Sequence, residues 1–420
     1  MRLASKTDLV RAPLWAGRSL ALLAIMVSAL NLRSAVTSVS PLLREVGTEL
    51  GFGLHAIGII GMLPPACFAL FGVATPYVVR RFGLEQAVII GMVITTAGVL
   101  LRSMAGNPIE FIAFSGTALG GMGIASVVLP PLVRKYFSDR LSLVSTIYLI
   151  ALHLGALLPP LVAVPLANTV GWRSAIALWA MLAILSATMW AVTMRKPSEE
   201  ASKPFASSGA RVPVDVRPAH AWRSPTIWNL TILFGMTSWN VFILFTWLPT
   251  LVLDAGYSAS FGGAMVSLLI TTSMLIGVFA PLLTIKSRSP TPIVAGCAGI
   301  YAVGYAGLAL APRAAMVAWV IMLGMGSSLF IVATTMINTH SRTPSGSAVT
   351  SAFVQGVGGG IAVLGPLSFG LLHSWTGTWN ASYGLVAVSL AIIAICGLRT
   401  HRHGTLEDDI QSSTAKTEKS

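Results

Sequence analysis

The chain alternates between long apolar stretches and short polar ones, and the apolar stretches number twelve. A helix needs about 20 apolar residues to cross a hydrocarbon core of about 30 Å, and each stretch is close to that length. In hydrocarbon a helix satisfies its own backbone hydrogen bonds, whereas barrel strands would be shorter, alternating segments. The pattern predicts an all-α polytopic membrane protein with spans at about 19–39, 54–79, 86–104, 109–132, 141–167, 172–194, 225–251, 259–284, 291–310, 314–337, 346–372 and 378–398.

The polar stretches divide the spans into two groups of six. Segment 195–224 is rich in proline, serine and charge and is predicted to be a cytoplasmic linker between bundles at 19–194 and 225–398. Residues 1–18 are predicted to be a cytoplasmic N-terminal segment, and 399–420 a cytoplasmic disordered tail. The basic start resembles a signal peptide, but the first span continues to residue 39 without a convincing cleavage site, so we expect it to be retained.

The two halves repeat each other at nearly one offset. GVATP at 72–76 matches GVFAP at 277–281, and Pro160 and Gly171 match Pro366 and Gly377. Parallel six-helix repeats about an axis normal to the membrane are typical of major facilitator transporters. The sequence therefore predicts that fold, with two pseudo-symmetric six-helix bundles.

The composition agrees with a membrane protein and gives it an orientation. Of the residues, 55% are hydrophobic and 10% are charged, against about 25% charged in soluble domains. Of the 27 Lys and Arg residues, 22 lie on the side that holds the N-terminus, while only Arg44, Arg102, Arg173 and Arg313 are assigned to outer loops. This asymmetry predicts that both termini are cytoplasmic, and the net charge of +13 needs no nucleic-acid partner.

The sequence lacks the signature motifs of several classes of enzyme and metal-binding protein. There is no phosphate-binding loop, zinc motif or nucleophile elbow, so we expect neither an enzyme nor a cofactor or metal. The three cysteines, Cys67, Cys297 and Cys396, lie within spans without paired spacing and are expected to be packing residues. All fourteen acidic residues lie in loops, tails or span ends, so no carboxylate is placed to carry a proton through the membrane.

Two basic side chains lie deep in the first half. Arg33 is about 21 Å into the first span and His153 about 18 Å into the fifth. A central arginine costs roughly 2.5–3.5 kcal/mol unless it faces a wet cavity, so Arg33 is a candidate anchor for an anion, with a brace between helices as the alternative. His153 could titrate near neutral pH and carry a coupling proton, or be a neutral hydrogen-bonding residue.

Polar and aromatic residues in the second half could complete a cavity. Trp239 is the counterpart of Arg33 in the repeat, Asn240 follows it, and Gln355 lies in the eleventh span. Packing is the alternative for Trp239. The glycines after Gln355 could let that span approach a neighbour closely or bend, and these are Gly356, Gly358, Gly359 and Gly360.

The stretch ALNLRSAVTSVSPLL (29–43) resembles the first-helix signature N-[LM]-R-P-A-[IV]-T-S-V-G-P-L-L of the cyanate/2-nitroimidazole transporter (CynX/NimT) family of the major facilitator superfamily. Other similar stretches are RRFGLE (80–85), GWR (171–173) and the Gln355-to-Pro366 stretch followed by TGTW (376–379). The chain departs from the family pattern at Ser34, Ser40 and Gly359. The resemblance covers most of residues 18–398 and implies a twelve-helix transporter of small molecules with Asn31 and Arg33 in its pocket.

RRFGLE also resembles a degenerate form of the superfamily's motif between the second and third helices, which latches the cytoplasmic gate. It implies gating roles for Arg80, Arg81 and Gly83, with Asp139 as an acidic partner in place of the usual aspartate. The alternative is that these arginines only set the topology.

Together these features predict a secondary active or facilitative transporter that moves a small anionic or electron-rich solute, such as cyanate or a nitroheterocycle, by alternating access. Substrate-binding candidates are Arg33, Asn31, His153, Trp239, Asn240 and Gln355. The expected setting is the inner membrane of a bacterium, with a monomer as the functional unit and protons as an open choice of coupling ion. The alternative is efflux of xenobiotics; no set of residues supports a membrane enzyme or a transceptor.

Overall fold

The structure is a computed structural model that describes residues 18–195, 218–286, 290–341 and 343–400, and every regular element in these ranges is helical. The helices are α1 (Ser19–Thr37), α2 (Leu43–Leu50), α3 (Leu54–Phe82), α4 (Leu84–Ser103), α5 (Pro108–Tyr136), α6 (Leu141–Ala177), α7 (Ala180–Arg195), α8 (Pro218–Arg223), α9 (Pro225–Asp254), α10 (Ala259–Lys286), α11 (Thr291–Leu310), α12 (Met316–Ser327), α13 (Leu329–Thr339), α14 (Pro344–Thr376) and α15 (Asn380–Thr400). Single 3₁₀ turns at Ser40–Leu42 and Ser138–Arg140 precede α2 and α6.

Within the described ranges, eleven stretches are long and apolar enough to cross a membrane, and one of them is long enough to cross it twice. That stretch, Ser138–Arg195, has 58 residues, which is about 87 Å of helix against a core of about 30 Å. It turns at Gly171, whose φ of +79° costs glycine little because glycine has no Cβ. The prediction of twelve spans is therefore confirmed.

Three of the long helices begin with the same kind of N-terminal cap. The side chains of Asn107, Ser224 and Thr343 each accept a hydrogen bond from a backbone N–H three residues later, and a proline follows each of them. Such a cap satisfies one of the free donors of the first turn, and proline fits the first helical position because it lacks an N–H. These caps explain why α5, α9 and α14 start where they do.

Helices α1–α7 form the first bundle and α9–α15, with α8 beside them, the second; α3 packs on α14 and α6 on α10 across the interface. A Cβ added at Gly58 would lie 3.3 Å from the Pro366 carbonyl oxygen, and one added at Gly263 would overlap the Pro160 carbonyl oxygen. Because Gly263 follows Gly58 by 205 residues and Pro366 follows Pro160 by 206, the same contact occurs twice. The predicted repeat is therefore visible in the packing of the two bundles.

A carboxylate that accepts an indole N–H also occurs once in each bundle. Glu49 accepts from Trp172 Nε1 at 2.5 Å, and Asp254, 205 residues later, accepts from Trp379 Nε1 at 3.0 Å. Asp254 makes a further contact that crosses between the bundles, an ion pair at 2.7 Å with Arg44. Asp254 therefore makes an ion pair between the bundles, whereas its counterpart Glu49 pairs with Arg173 of its own bundle.

We call the end of the molecule where α1 begins and α15 ends the terminal face, and the other end the opposite face. Inter-bundle hydrogen bonds lie between mid-membrane and the opposite face: Ser267 donates to the Leu157 carbonyl oxygen at 2.7 Å, and Ser374 bonds His55 at 3.1 Å. In the terminal half of α14, a Cβ added at Gly356 would meet nothing within 4 Å. In this conformer the bundles are therefore joined by hydrogen bonds towards the opposite face.

Part of the predicted linker is a helix. Helix α8 lies within 195–224 and packs against α9 and α14, where the Trp222 ring lies 4.9 Å from Phe353 and 5.6 Å from Trp228 in edge-on geometry. Aromatic pairs of this kind add about 0.5–1.5 kcal/mol each. The other predicted features of the N-terminal segment, the linker and the tail lie mostly outside the described residues.

The sequence assigns Arg102 to an outer loop, and the structure corrects this. Arg102 lies in the last turn of α4, is 2% exposed and donates from its NH1 group to the Ala35 carbonyl oxygen at 3.1 Å. The last carbonyls of α1 lack intrahelical partners, and a cation is stabilised beside them. Arg102 is therefore a buried helix-end cation of the first bundle.

Candidate functional site

Helix α1 keeps one stripe of accessible surface. Its members recur every three to four residues, as one face of a helix does, and include Ser19, Leu23, Met26, Leu30, Arg33 and Val36. Most other residues of α1 are buried, and the helix packs on α5, α6 and α7. Just beyond α1, Ser40 donates to the Phe245 carbonyl oxygen of the second bundle. The one charged residue of the stripe is Arg33, and the chain just beyond α1 contacts the second bundle.

Arg33 lies deep in the protein and has no acidic partner among the described residues. It is 14 residues from the start of α1, about 21 Å along the axis, and it is partly accessible. The carboxylates of the described ranges all lie in turns, in the short helix α2 or at the ends of longer helices: Glu45, Glu49, Glu85, Glu110, Asp139 and Asp254. The positive charge of Arg33 is thus uncompensated at this depth.

Two side chains of α6 lie within electrostatic range of this guanidinium, namely Tyr148 and His153. A close helix crossing brings them there: α6 passes α1 at Gly155, where an added Cβ would overlap the Leu30 carbonyl group. Only glycine allows two backbones to approach this closely. The Gly155 crossing therefore fixes how closely α6 lies to α1 at Leu30.

His153 offers one ring nitrogen to the site. Its Nδ1 lies 2.8 Å from the Leu149 carbonyl oxygen. Because a carbonyl oxygen only accepts hydrogen bonds, Nδ1 must carry the proton and donate it. Nε2 of a neutral His153 is then a free acceptor, and in the imidazolium form it becomes a second donor beside Arg33.

The structure places Asn31 away from Arg33. Residues two positions apart in an α-helix point about 200° apart around its axis, so the side chains of Asn31 and Arg33 lie on nearly opposite sides of α1. Asn31 is 1% exposed, donates from Nδ2 to Met92 Sδ at 3.2 Å and accepts from Ser34 at 3.2 Å. Asn31 therefore packs within the first bundle and is not on the accessible stripe that carries Arg33.

Trp239 and Asn240 serve packing within the second bundle. Trp239 is 5% exposed and lies against Gly365 of α14, where an added Cβ would be 2.8 Å from the Trp239 carbonyl oxygen. Asn240 is fully buried and donates from Nδ2 to Ser389 Oγ of α15 at 2.9 Å. Neither side chain is brought to Arg33.

Gln355 is exposed on the terminal half of α14 and donates to Ser351 Oγ at 2.6 Å. Of the glycines that follow it, only Gly358 meets a neighbour closely: an added Cβ would lie 3.1 Å from the Thr231 carbonyl oxygen of α9. A Cβ at Gly356, Gly359 or Gly360 would meet nothing within 4 Å. The expected close approach therefore holds for one glycine, and the other three face open space.

The predicted gating residues lie at the terminal face. Arg80 and Arg81 are exposed at the end of α3, and Gly83 forms the turn to α4 with a φ of +84°. The suggested acidic partner, Asp139, is bound by Arg18 in this structure: its two carboxylate oxygens accept from that guanidinium at 2.9 and 3.1 Å.

Tyr148, Gly155 and Arg102 were not among the sequence candidates. Tyr148 and Gly155 stand in apolar runs where an aromatic ring or a glycine usually indicates packing. Arg102 stands at a span end, where a basic residue usually indicates topology. In the described ranges no three His, Cys, Asp or Glu side chains are grouped to hold a metal ion.

The sequence matches the Major Facilitator Superfamily over residues 21–362, and the twelve crossings in two bundles agree with that match. The chain therefore belongs to this superfamily: it is a multi-pass membrane transporter of small solutes and not an enzyme.

Two relatives indicate the branch of the superfamily to which this chain is similar. The 2-nitroimidazole transporter of Escherichia coli (strain K12) is 29% identical over 378 residues, 89% of this chain and 93% of that protein. The cyanate transport protein CynX of the same organism is 25% identical over 384 residues, 89% of this chain and 96% of that protein. Among solved structures, a point mutant of the nucleoside transporter NupG shares the fold, with a TM-score of 0.74 and 11% identity over 90% of this chain and 99% of that one. The resemblance to the cyanate/2-nitroimidazole transporter family is confirmed.

Proposed function

We propose that this protein is a secondary active or facilitative transporter of a small anionic or electron-rich solute, such as cyanate or a nitroheterocycle. The solute binds between the bundles with Arg33 as its anchor, and alternating access carries it across. The proposed setting is a bacterial inner membrane, with the terminal face in the cytoplasm because the basic residues gather there. One chain contains both bundles, so a monomer suffices.

The observation that carries this proposal is the uncompensated charge of Arg33. A guanidinium at this depth is costly, and a structural brace would be expected to pair it with a carboxylate or carbonyl oxygen. Arg33 instead lies on the accessible stripe of α1, without an acidic partner among the described residues. A solute that brings a negative charge or electron-rich atoms would supply the missing partner. The relatives named for cyanate and 2-nitroimidazole transport support this class of solute.

The proposal is tested by ligand-induced stabilisation of the purified protein. Cyanate, formate, 2-nitroimidazole and a lipophilic cation are added in turn to the wild-type protein and to Arg33→Ala, and the melting temperature is recorded. We expect at least one anion or nitroheterocycle to stabilise the wild type by about 3 kcal/mol at a hundred times its Kd, and to leave Arg33→Ala unchanged.

Arg399→Ala is the matched control, since it also removes one cation but from an exposed position at the end of α15. It should respond to ligands as the wild type does. If only the lipophilic cation stabilises the protein, and does so equally with or without Arg33, then Arg33 has a structural role between helices. That result would favour efflux of xenobiotics over anion transport.

We further propose that His153 couples solute binding to protons, that Gln355 contributes to the solute site, and that Arg80, Arg81 and Gly83 act as gating residues at the terminal face. Imidazole titrates near neutral pH, and its protonated form would add a second positive charge beside Arg33. Uptake into proteoliposomes should therefore rise as pH falls from about 8 to about 5.5, and His153→Asn should flatten the profile. Identical profiles for the two proteins would remove His153 from the coupling mechanism.

A further inference from the structure

Helix α1 is broken at a place where the corresponding part of the second bundle is continuous. Its last backbone hydrogen bond joins the Ser38 N–H to the Ser34 carbonyl oxygen at 2.9 Å, and a 3₁₀ turn and α2 follow. The residues 205 to 206 positions later lie inside α9, a single helix of 30 residues. Pro41 alone does not explain the break, because α3 continues through Pro64 and α9 through Pro249.

Arg102 of α4 occupies the acceptor that the next backbone bond of α1 would use. In a continuing helix the Val39 N–H would bond the Ala35 carbonyl oxygen. This oxygen instead accepts from the NH1 group of Arg102 at 3.1 Å. Arg102 is 2% exposed, and its Nε and NH2 atoms have no hydrogen-bond partner among the described residues. Burying a guanidinium with so few partners is costly, so stabilising the first bundle is a poor explanation for its presence.

The repeat links this arginine to the break. The residues 205 to 207 positions after Arg102 are Gly307, Leu308 and Ala309, at the end of α11, and none of them carries a charge. The bundle that has the buried arginine therefore has the broken helix, and the bundle that lacks the arginine has the continuous one.

The broken segment makes contacts between the bundles. Ser40 donates to the Phe245 carbonyl oxygen of α9, and Pro41 Cγ lies 3.5 Å from a Cβ added at Gly263 of α10. If α1 continued as a regular helix, Ser40 and Pro41 would take different positions. Both contacts therefore depend on the break in α1.

We propose that Arg102 is a positioning residue for the movement between the bundles. By occupying the Ala35 carbonyl oxygen it stabilises the break in α1, and the break holds Ser40 and Pro41 against the second bundle. When the opposite face opens, the Val39 N–H takes the Ala35 carbonyl oxygen and Arg102 is released from it. This inference rests on the alternating access of the proposed function, but not on the solute or its anchor.

The test measures the distance between spin labels at Thr48 and Ser258, two exposed positions at the opposite face on different bundles. The full-length protein is used after its three native cysteines are replaced. Arg102→Met removes the charge and the donors but keeps a long side chain. We expect it to move the distance distribution to longer values, because the contacts of Ser40 and Pro41 are weakened. Arg102→Lys keeps a cation that can donate to the same carbonyl oxygen, so it should retain the wild-type distribution.

A second variant and a control complete the experiment. Arg102→Gln, whose polar side chain is two atoms shorter than that of arginine, should shift the distribution in the same direction as Arg102→Met. Arg399→Met removes a cation from an exposed position at the end of α15 and should change nothing.

The melting temperature of each variant separates positioning from simple stabilisation. A lower melting temperature with wild-type distances in Arg102→Met overturns the proposal, and so does the same result in Arg102→Gln if the methionine variant does not fold. An equal shift in Arg102→Lys and Arg102→Met would overturn the role of the cation. Because no solute is added, each of these results leaves the proposed function and the anchor role of Arg33 standing.

Discussion

Gly155→Ala is expected to abolish transport, although it adds only one methyl group. The new Cβ would overlap the backbone carbonyl of Leu30, so neither a rotamer change nor a flexible neighbour can relieve the clash. Helix α6 must then move away from α1, which costs about 1–3 kcal/mol by the usual scale of overpacking. That movement also separates Tyr148 and His153 from Arg33.

The effect on function should exceed the effect on stability. Displacing a binding group by about 1 Å can cost about a hundredfold in rate, so we expect uptake to fall by about that factor. The measurement is initial uptake into proteoliposomes together with the melting temperature of each purified protein.

Gly116→Ala in α5 is the matched control, because its added Cβ would meet nothing within 4 Å. Alanine favours a helix by up to about 1 kcal/mol over glycine, so this variant should be as stable as the wild type or more so and transport normally. Wild-type uptake by Gly155→Ala would show that the crossing of α1 and α6 does not hold the site together.

The fold was predictable because its main cause is local in the sequence. Each span is an apolar run of the length that hydrocarbon demands, and the repeat survives as two pairs of matched residues. The break between the fifth and sixth spans was visible at Gly171, and its counterpart Gly377 also takes a positive φ, +69°. Neither inference required knowledge of which residues touch.

The site was only partly predictable, because its composition depends on which face of each helix meets the cavity. Asn31 and Arg33 looked alike as polar residues in an apolar run, yet helical geometry alone separates them by about 200°. Which of the two faces the cavity depends on the packing of α1 against α5, α6 and α7, which the sequence does not display. The same applies to Gly155, whose close contact with α1 is not visible in the sequence either.

Gly263→Val is expected to shift the protein away from the conformer described here. The added side chain would overlap the Pro160 carbonyl oxygen across the bundle interface, and its Cβ would also lie 3.5 Å from Pro41 Cγ. We expect these contacts to be lost when the opposite face opens. A cost of about 1–3 kcal/mol confined to one conformer changes its population by about 5- to 150-fold, so the open form at that face should become dominant or nearly so.

The clash at Gly263 should shift the populations of the two conformers more than loss of the Arg44–Asp254 ion pair across the same interface would. The side chains of Arg44 and Asp254 are 53% and 31% exposed, and pairs with this exposure contribute about 0.2–1 kcal/mol. Gly58→Val, at the other copy of the contact, should act in the same direction as Gly263→Val but less strongly. Its added Cβ would lie 3.2 Å from Leu367 Cα rather than overlapping an atom, so less movement relieves it.

The measurement is the distance between spin labels at Thr48 and Ser258, two exposed positions at the opposite face on different bundles. The three native cysteines are replaced first. We expect the distance distribution to move to longer values in Gly263→Val and to stay unchanged in Gly296→Ala, whose Cβ would meet nothing within 4 Å. Solute uptake should fall in parallel, because a transporter that cannot close one face cannot complete its cycle. An unchanged distance distribution in Gly263→Val would mean that the Gly263–Pro160 contact is preserved in both conformers and is a pivot of the movement.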